Sequence, residues 1–259
     1  MKKSRVFSYF SSFALVIFFT TFVLFTNNSF AQKTVTEQDL VWYSLVSTFN
    51  MSENWYFQNE LHERHFISPN VQHQSLIRAH IHRKLGMSGW ESSVGACYFL
   101  QNSNDPYSKI NLTIPEFRPH FELAYKQKLD HLSFDHRYQV EARYFHNLDQ
   151  TKTELDDGFS FGNYRFRYRL QATLPIYKIS ENRSLKIKVS DEIFINTGSS
   201  IVKNPFDQNR VYAGLNYDLL PNLGIEVGYL NWFQQTQSGS FYDRDIFRFV
   251  IFHSISLPN

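Results

Sequence analysis

The residues best equipped for chemistry sit on alternate positions of extended segments. They are Glu60, Arg64, Arg78, Glu122, Arg137, Glu141, Arg143, Arg165, Arg167, Arg169, Glu192, Arg210 and Glu226. A guanidinium and a carboxylate can share two parallel hydrogen bonds, so pairs of these groups would tie neighbouring strands together across a confined space. The same groups could instead form an unbalanced cationic ladder, Arg165, Arg167 and Arg169, that attracts carboxylate or phosphate solutes. Two weaker constellations accompany them. His80 and His82 share a face, and His120 falls on the same polar side two strands on, a spacing that invites a metal ion but is also met by simple hydrogen bonding. His136 and His146 fall on the opposite, outward face, where His136 could act as a base toward Ser92 in a lipid hydrolase. A serine without a hydrogen-bonded base is a poor nucleophile, and Ser92 lies two strands before His136. No CxxC, HExxH, GxSxG or glycine-rich phosphate loop occurs. The sequence nominates no catalytic residue, no cofactor and no metal ligand set.

What must position these groups is a series of strands. Tyr164-Arg165-Phe166-Arg167-Tyr168-Arg169-Leu170 alternates strictly between aromatic or apolar and cationic. A strand sends successive side chains to opposite faces, whereas a helix would scatter them around its axis. Tyr138, Val140, Ala142 and Tyr144 similarly oppose Arg137, Gln139, Glu141 and Arg143. His136 and His146 bracket that apolar set; ten residues of tilted strand rise roughly 25 Å, the height of a barrel's lipid-facing band.

Eleven candidate strands follow, with Trp55 to Phe66, Trp90 to Gln101 and Phe159 to Thr173 among them, and turns at Pro175, Gly198 with Ser199, Pro205, Pro221 with Asn222, and Gly239. Short breaks near residues 130, 177 and 220 alternate with longer ones near 108, 152, 202 and 238. The pattern predicts an all-β fold, a transmembrane antiparallel up-and-down barrel of about 12 strands, within a range of 10–12, because single-chain bacterial barrels have an even count. A soluble β-sandwich also alternates, but its strands are usually only about 5 or 6 residues long.

Bulk composition agrees. Lys2, Lys3 and Arg5 precede an apolar run from Phe13 to Phe25, and Ser29-Phe30-Ala31 offers small residues for cleavage. The expected domains are a signal peptide over 1–31 and an outer-membrane barrel over 32–259. Removing three bases from 26, against 24 acids, leaves a net −1, so the chain has no basic excess with which to seek nucleic acid. Cys97 stands alone, so no intramolecular disulfide forms. The 26 Phe, 15 Tyr and 4 Trp suit aromatic girdles at a membrane interface. Mean hydropathy is −0.37, and no long apolar run follows Phe25, which excludes a helical membrane protein beyond the signal but not a barrel.

Several segments, taken in order, resemble a known family. They are Val41-Trp42-Tyr43-Ser44, Trp55, Glu60 with Arg64, Arg137 with Glu141-Ala142-Arg143, Arg165 to Leu170, Glu192 to Asn196, Gln208-Asn209-Arg210 and Gly228-Tyr229-Leu230. The set is similar to the outer-membrane family called domain of unknown function 2490. The resemblance implies a barrel in the outer membrane of a Gram-negative cell and carries over no catalytic residue. The partners expected are outer-membrane lipid and small anionic solutes, with passage of solutes or a structural role as the first reading and lipid hydrolysis as the alternative.

Overall fold

A computed structural model describes residues 34–86, 88–180, 183–198, 204–236 and 238–257. The expected signal peptide and its cleavage point lie outside the described residues. The described residues form eleven strands and no α-helix: β1 (Val35–Asn50), β2 (Trp55–Phe66), β3 (Gln72–Lys84), β4 (Trp90–Gln101), β5 (Ile114–Lys128), β6 (Ser133–Leu148), β7 (Leu155–Ser180), β8 (Arg183–Thr197), β9 (Phe206–Leu220), β10 (Leu223–Gln235) and β11 (Phe241–Ser256). They close into one barrel in sequential order.

Eleven lies inside the expected range, and the even count favoured there is corrected by the way the sheet closes. Every neighbouring pair is antiparallel except β1 and β11, which run parallel from Val35↔Phe241 to Asn50↔Ser256. An odd number of alternating strands brings its first and last strands together pointing the same way, so a parallel seam is the only closure open to it. Parallel pairing is slightly weaker per residue. Here the seam is backed inside the barrel by a buried apolar cluster that includes Leu40, Trp42, Leu230, Trp232 and Ile246.

Period-2 alternation fixes which side chains face out. Tyr138, Phe166, Val189, Val227 and Phe249 are each more than two-fifths exposed on the outer surface, while Gln139, Glu141, Arg165 and Glu226 are buried within. β1, β3, β5, β7 and β9 end at one mouth of the barrel, whose fully described connections are short (51–54, 129–132 and 221–222). Those fully described at the other mouth (67–71, 102–113 and 149–154) include the longest.

One expected turn is absent. Pro175 lies inside β7, which runs 26 residues to Ser180. The register against β8 shifts between Pro175 and Tyr177. Such a bulge drops a ladder hydrogen bond, which lets a residue without an N–H stay in the strand.

Candidate functional site

The lumen is a charged interior cut into two chambers. The chamber at the short-turn mouth has a volume of about 500 Å3. The chamber at the long-connection mouth has about 770 Å3 and shares no lining residue with it. Between them lies a layer of buried side chains that includes Phe99, Arg118, Glu141, Arg165, Phe194, Gln208 and Trp232.

Within that layer ion pairing is dense. Register sets Glu141 opposite Arg165 across β6 and β7. Arg165 Nε donates to Glu141 Oε2 at 2.8 Å, and Arg167 Nη1 donates to Glu141 Oε1 at 2.6 Å. Arg167 also reaches Glu192 Oε1 at 2.8 Å, and Arg137 meets the same oxygen at 2.6 Å. Glu116 is held by Arg118 at 2.5 Å and by Arg143 at 2.6 Å. On the other wall Glu60 takes Arg78 at 3.0 Å, and Glu226 takes Lys188 at 2.7 Å, Tyr212 Oη at 2.8 Å and Arg248 at 3.5 Å. Tyr212 reaches Glu226 because its ring lies across Gly214 and Gly228; a Cβ at Gly228 would stand 2.6 Å from its hydroxyl. Glu122 faces Arg137 at 3.6 Å.

All thirteen charged residues singled out by alternation therefore turn inward, but not all are paired. Arg64, Arg169 and Arg210 have no ion pair among the described residues. Arg64 lies 3.8 Å over the Trp42 ring and donates to Gln74 at 2.7 Å. Arg210 stands 4.8 Å from both the Phe194 and Trp232 rings and donates to Gln208. A guanidinium can rest on an aromatic face in this way, drawn by the ring quadrupole. Arg169 has neither support. It sits directly opposite Arg137, a like charge, and Glu192, its neighbour across β7 and β8, is taken by Arg137 and Arg167. Its Nε is buried without a hydrogen-bond partner, and it lines the short-turn chamber.

That chamber has a net charge. Nine Lys and Arg against six Asp and Glu line it, a surplus of three positive charges. Such a surplus draws anions toward that mouth.

The remaining candidates divide. His80, His82 and His120 do come together, with ring centroids 4.8 Å and 5.3 Å apart. His80 Nε2 is spent on Glu60 at 3.0 Å and His82 Nδ1 on Glu91 at 2.8 Å. Among the described residues no group of three or more His, Cys, Asp or Glu is arranged to hold a metal ion. Ser92 and His136 are not joined: the His136 imidazole bonds the Tyr168 hydroxyl at 2.9 Å and stacks with Tyr125.

Alternation alone did not single out Glu116 or Arg244. Glu116 stands between Pro115 and Phe117, close to Pro119, where prolines suggest a break rather than the start of β5. Arg244, fully buried, is the hub of the long-connection end. Its three nitrogens donate to Gln38, Gln234 and Asn104 at 2.7, 2.6 and 3.0 Å. Asn104 also meets His73 at 3.0 Å, so the 102–113 connection is drawn down into the mouth.

A closed sheet with an apolar outer belt and an ion-paired, partitioned interior defines the class: a β-barrel built inside-out relative to a water-soluble sandwich. The chain belongs to the DUF2490 family of proteins of unknown function, whose model matches residues 40–243. No curated protein matches it. Among solved structures, LpxR from Salmonella typhimurium superposes with a TM-score of 0.44 at 7% identity, over 76% of this chain and 83% of that one. The siderophore receptor PirA from Pseudomonas aeruginosa does so with a TM-score of 0.28 at 14% identity, over 71% of this chain and 32% of the receptor.

Proposed function

We propose that this is an outer-membrane β-barrel of a Gram-negative cell, exported through a cleaved signal peptide (1–31), whose barrel (32–259) holds a small anionic solute in a blind chamber. Hydrocarbon would wet the Tyr, Phe and Ile side of the sheet. The short turns would face the periplasm and the longer connections the exterior, as in other barrels of this kind. Outer-membrane lipid is then the partner of the outer face. The ligand class follows from Arg169. Arg169 is only partly buried, but with a like charge opposite it and no ion pair or hydrogen bond among the described residues its guanidinium still carries a cost. A carboxylate or phosphate in the chamber would remove that cost.

Titration of the folded barrel in detergent with inorganic phosphate or citrate tests the reading. Saturable binding should weaken at least ~10-fold in Arg169→Gln, about the worth of one charge-assisted hydrogen bond. Absence of binding, or binding indifferent to Arg169, would remove the solute reading. The buried Glu141–Arg165 layer separates a chamber from a pore. In planar bilayers the unaltered protein should give no conductance steps, and a barrel with both Glu141→Ala and Arg165→Ala should give them. Heat-modifiable migration and fractionation into the outer membrane check the location.

A further inference from the structure

The same chamber wall carries a second arrangement, in which Glu60 serves more than its ion pair with Arg78. Ser44 on β1 and His62 on β2 are direct cross-strand partners, and both point inward. Ser44 Oγ lies 2.8 Å from His62 Nδ1. His62 Nε2 lies 2.8 Å from Glu60 Oε2, two residues back on the same face. Glu60 Oε2 also receives Arg78 Nη1 at 3.0 Å, and its other oxygen receives Gln58 and His80 at 3.0 Å each.

These partners set the direction of every proton. A carboxylate only accepts, so the Nε2–H of His62 donates to Glu60. In that tautomer Nδ1 carries a lone pair, and the Ser44 hydroxyl donates to it. The serine thus has a base in contact, and the base has a carboxylate that orients it and can stabilise the imidazolium. That is the division of labour of a nucleophilic triad, with the two ring nitrogens exchanged relative to the Ser-His-Asp template. His62 and both same-face neighbours of Ser44, Trp42 and Val46, line the short-turn chamber. An electrophilic donor is at hand. Arg64 occupies the next inward position after His62, and its Nε is buried with no hydrogen-bond partner.

We propose that Ser44, His62 and Glu60 form a hydrolytic site for small esters that carry an anionic group. Ser44 Oγ adds to the ester carbonyl as its proton passes to His62 Nδ1. The C–O bond to the alcohol breaks, and His62 returns the proton to the departing oxygen. Water then attacks the acyl-serine with His62 again as base, which releases the acid and restores the serine. The Arg64 guanidinium, which lines the same chamber, supplies positive charge to the carbonyl oxygen as it gains charge. The anionic preference rests on the chamber reading above; the triad itself does not.

The test uses the full folded barrel, checked by heat-modifiable migration. A small alkyl fluorophosphonate should label Ser44, as read by mass spectrometry. 4-Acetoxybenzoate should be cleaved to 4-hydroxybenzoate and acetate. Both should fall at least ~100-fold in Ser44→Ala and in His62→Gln, the span expected when a positioned base is lost. Chamber access is read separately by an anionic methanethiosulfonate on Ser190→Cys in a Cys97→Ala background, since Ser190 lines the same chamber. Modification of the Ser190→Cys barrel with Ser44 unlabelled overturns the triad and leaves the chamber standing. If neither site reacts, both readings fall. Labelling of Ser44 that persists unchanged in His62→Gln also overturns the triad. Equal rates on 4-acetoxybenzoate and neutral phenyl acetate would remove only the anionic preference.

Discussion

Two walls of the lumen bury guanidinium groups by different means. Along β5 to β8, arginine meets carboxylate: Glu141 serves Arg165 and Arg167, Glu192 serves Arg137 and Arg167, and Glu116 serves Arg118 and Arg143. Around the seam, on β1, β2 and β9 to β11, Arg64, Arg210 and Arg244 have no ion pair among the described residues. They lie against Trp42 and Trp232 and donate to amide oxygens, with Arg244 4.2 Å over the Trp232 ring. The first wall balances charge with charge, so removing one carboxylate takes an oxygen partner from two cations at once. The second balances charge with aromatic faces and amide dipoles, so its cost on mutation is spread over packing and several weaker bonds. A parallel seam gains from the second arrangement, because indole rings add apolar contact where the backbone pairing is poorest.

Glu141→Ala should have the largest effect, since Arg165 and Arg167 both lose an oxygen partner in a buried layer. Loss of one partner of a buried pair costs about 3–5 kcal/mol. Urea unfolding of the barrel in lipid vesicles should show it, and a smaller loss than in Arg244→Lys would break the distinction between the walls. Arg244→Lys keeps the charge but loses the fork that reaches three acceptors. Charge-assisted bonds are worth about 1.5–3 kcal/mol each, and a lysine keeps some of them, so a loss of about 2 kcal/mol is expected. A double-mutant cycle with Trp232→Leu should return a coupling of about 1–2 kcal/mol if the indole supports the cation; a coupling near zero would reduce that wall to plain packing.

Asn104→Ala removes one acceptor shared by Arg244 and His73, at about 1 kcal/mol. Its clearer sign should be faster proteolytic cleavage within 103–113 while the barrel still migrates as folded. The smallest effect lies outside the barrel wall. Asp149, in the connection after β6, accepts the Thr151 hydroxyl, then the backbone N–H groups of Glu154, Thr153 and Thr151, and these bonds hold its carboxyl down to about 2. An unfolded aspartate titrates near ~3.9. The depressed folded value means that the ionised turn contributes fully above that pH and is lost as pH falls through about 2. Amide exchange at Thr153 and Glu154 should stay slow at pH 4 and quicken only toward pH 2; quickening already at pH 4 would count against it.

Much of the wall is legible in the residues themselves. Trp55–Phe66 and Trp90–Gln101 are bounded by polar and glycine turns at the positions where β2 and β4 end. The inward face of every charged candidate follows from period 2 alone, because a strand leaves no third choice of direction. Pro175 misleads because its effect depends on whether a neighbour's register shifts to accommodate it. Arg244 escapes because it lies near the start of a strand whose middle is almost wholly apolar, and Glu116 because prolines surround it.

Alternation by itself determined a half-greasy, half-charged ribbon and the residues on each side of it, since side-chain direction along a strand is a local property. Which of those groups meet was decided only when the ribbon closed. Register set Ser44 opposite His62 and Glu141 opposite Arg165, the odd strand count forced a parallel seam, and the sharing of Glu192 between Arg137 and Arg167 left Arg169 without a carboxylate. These are matters of a few ångströms between strands distant in the chain, and no spacing within one strand can specify them.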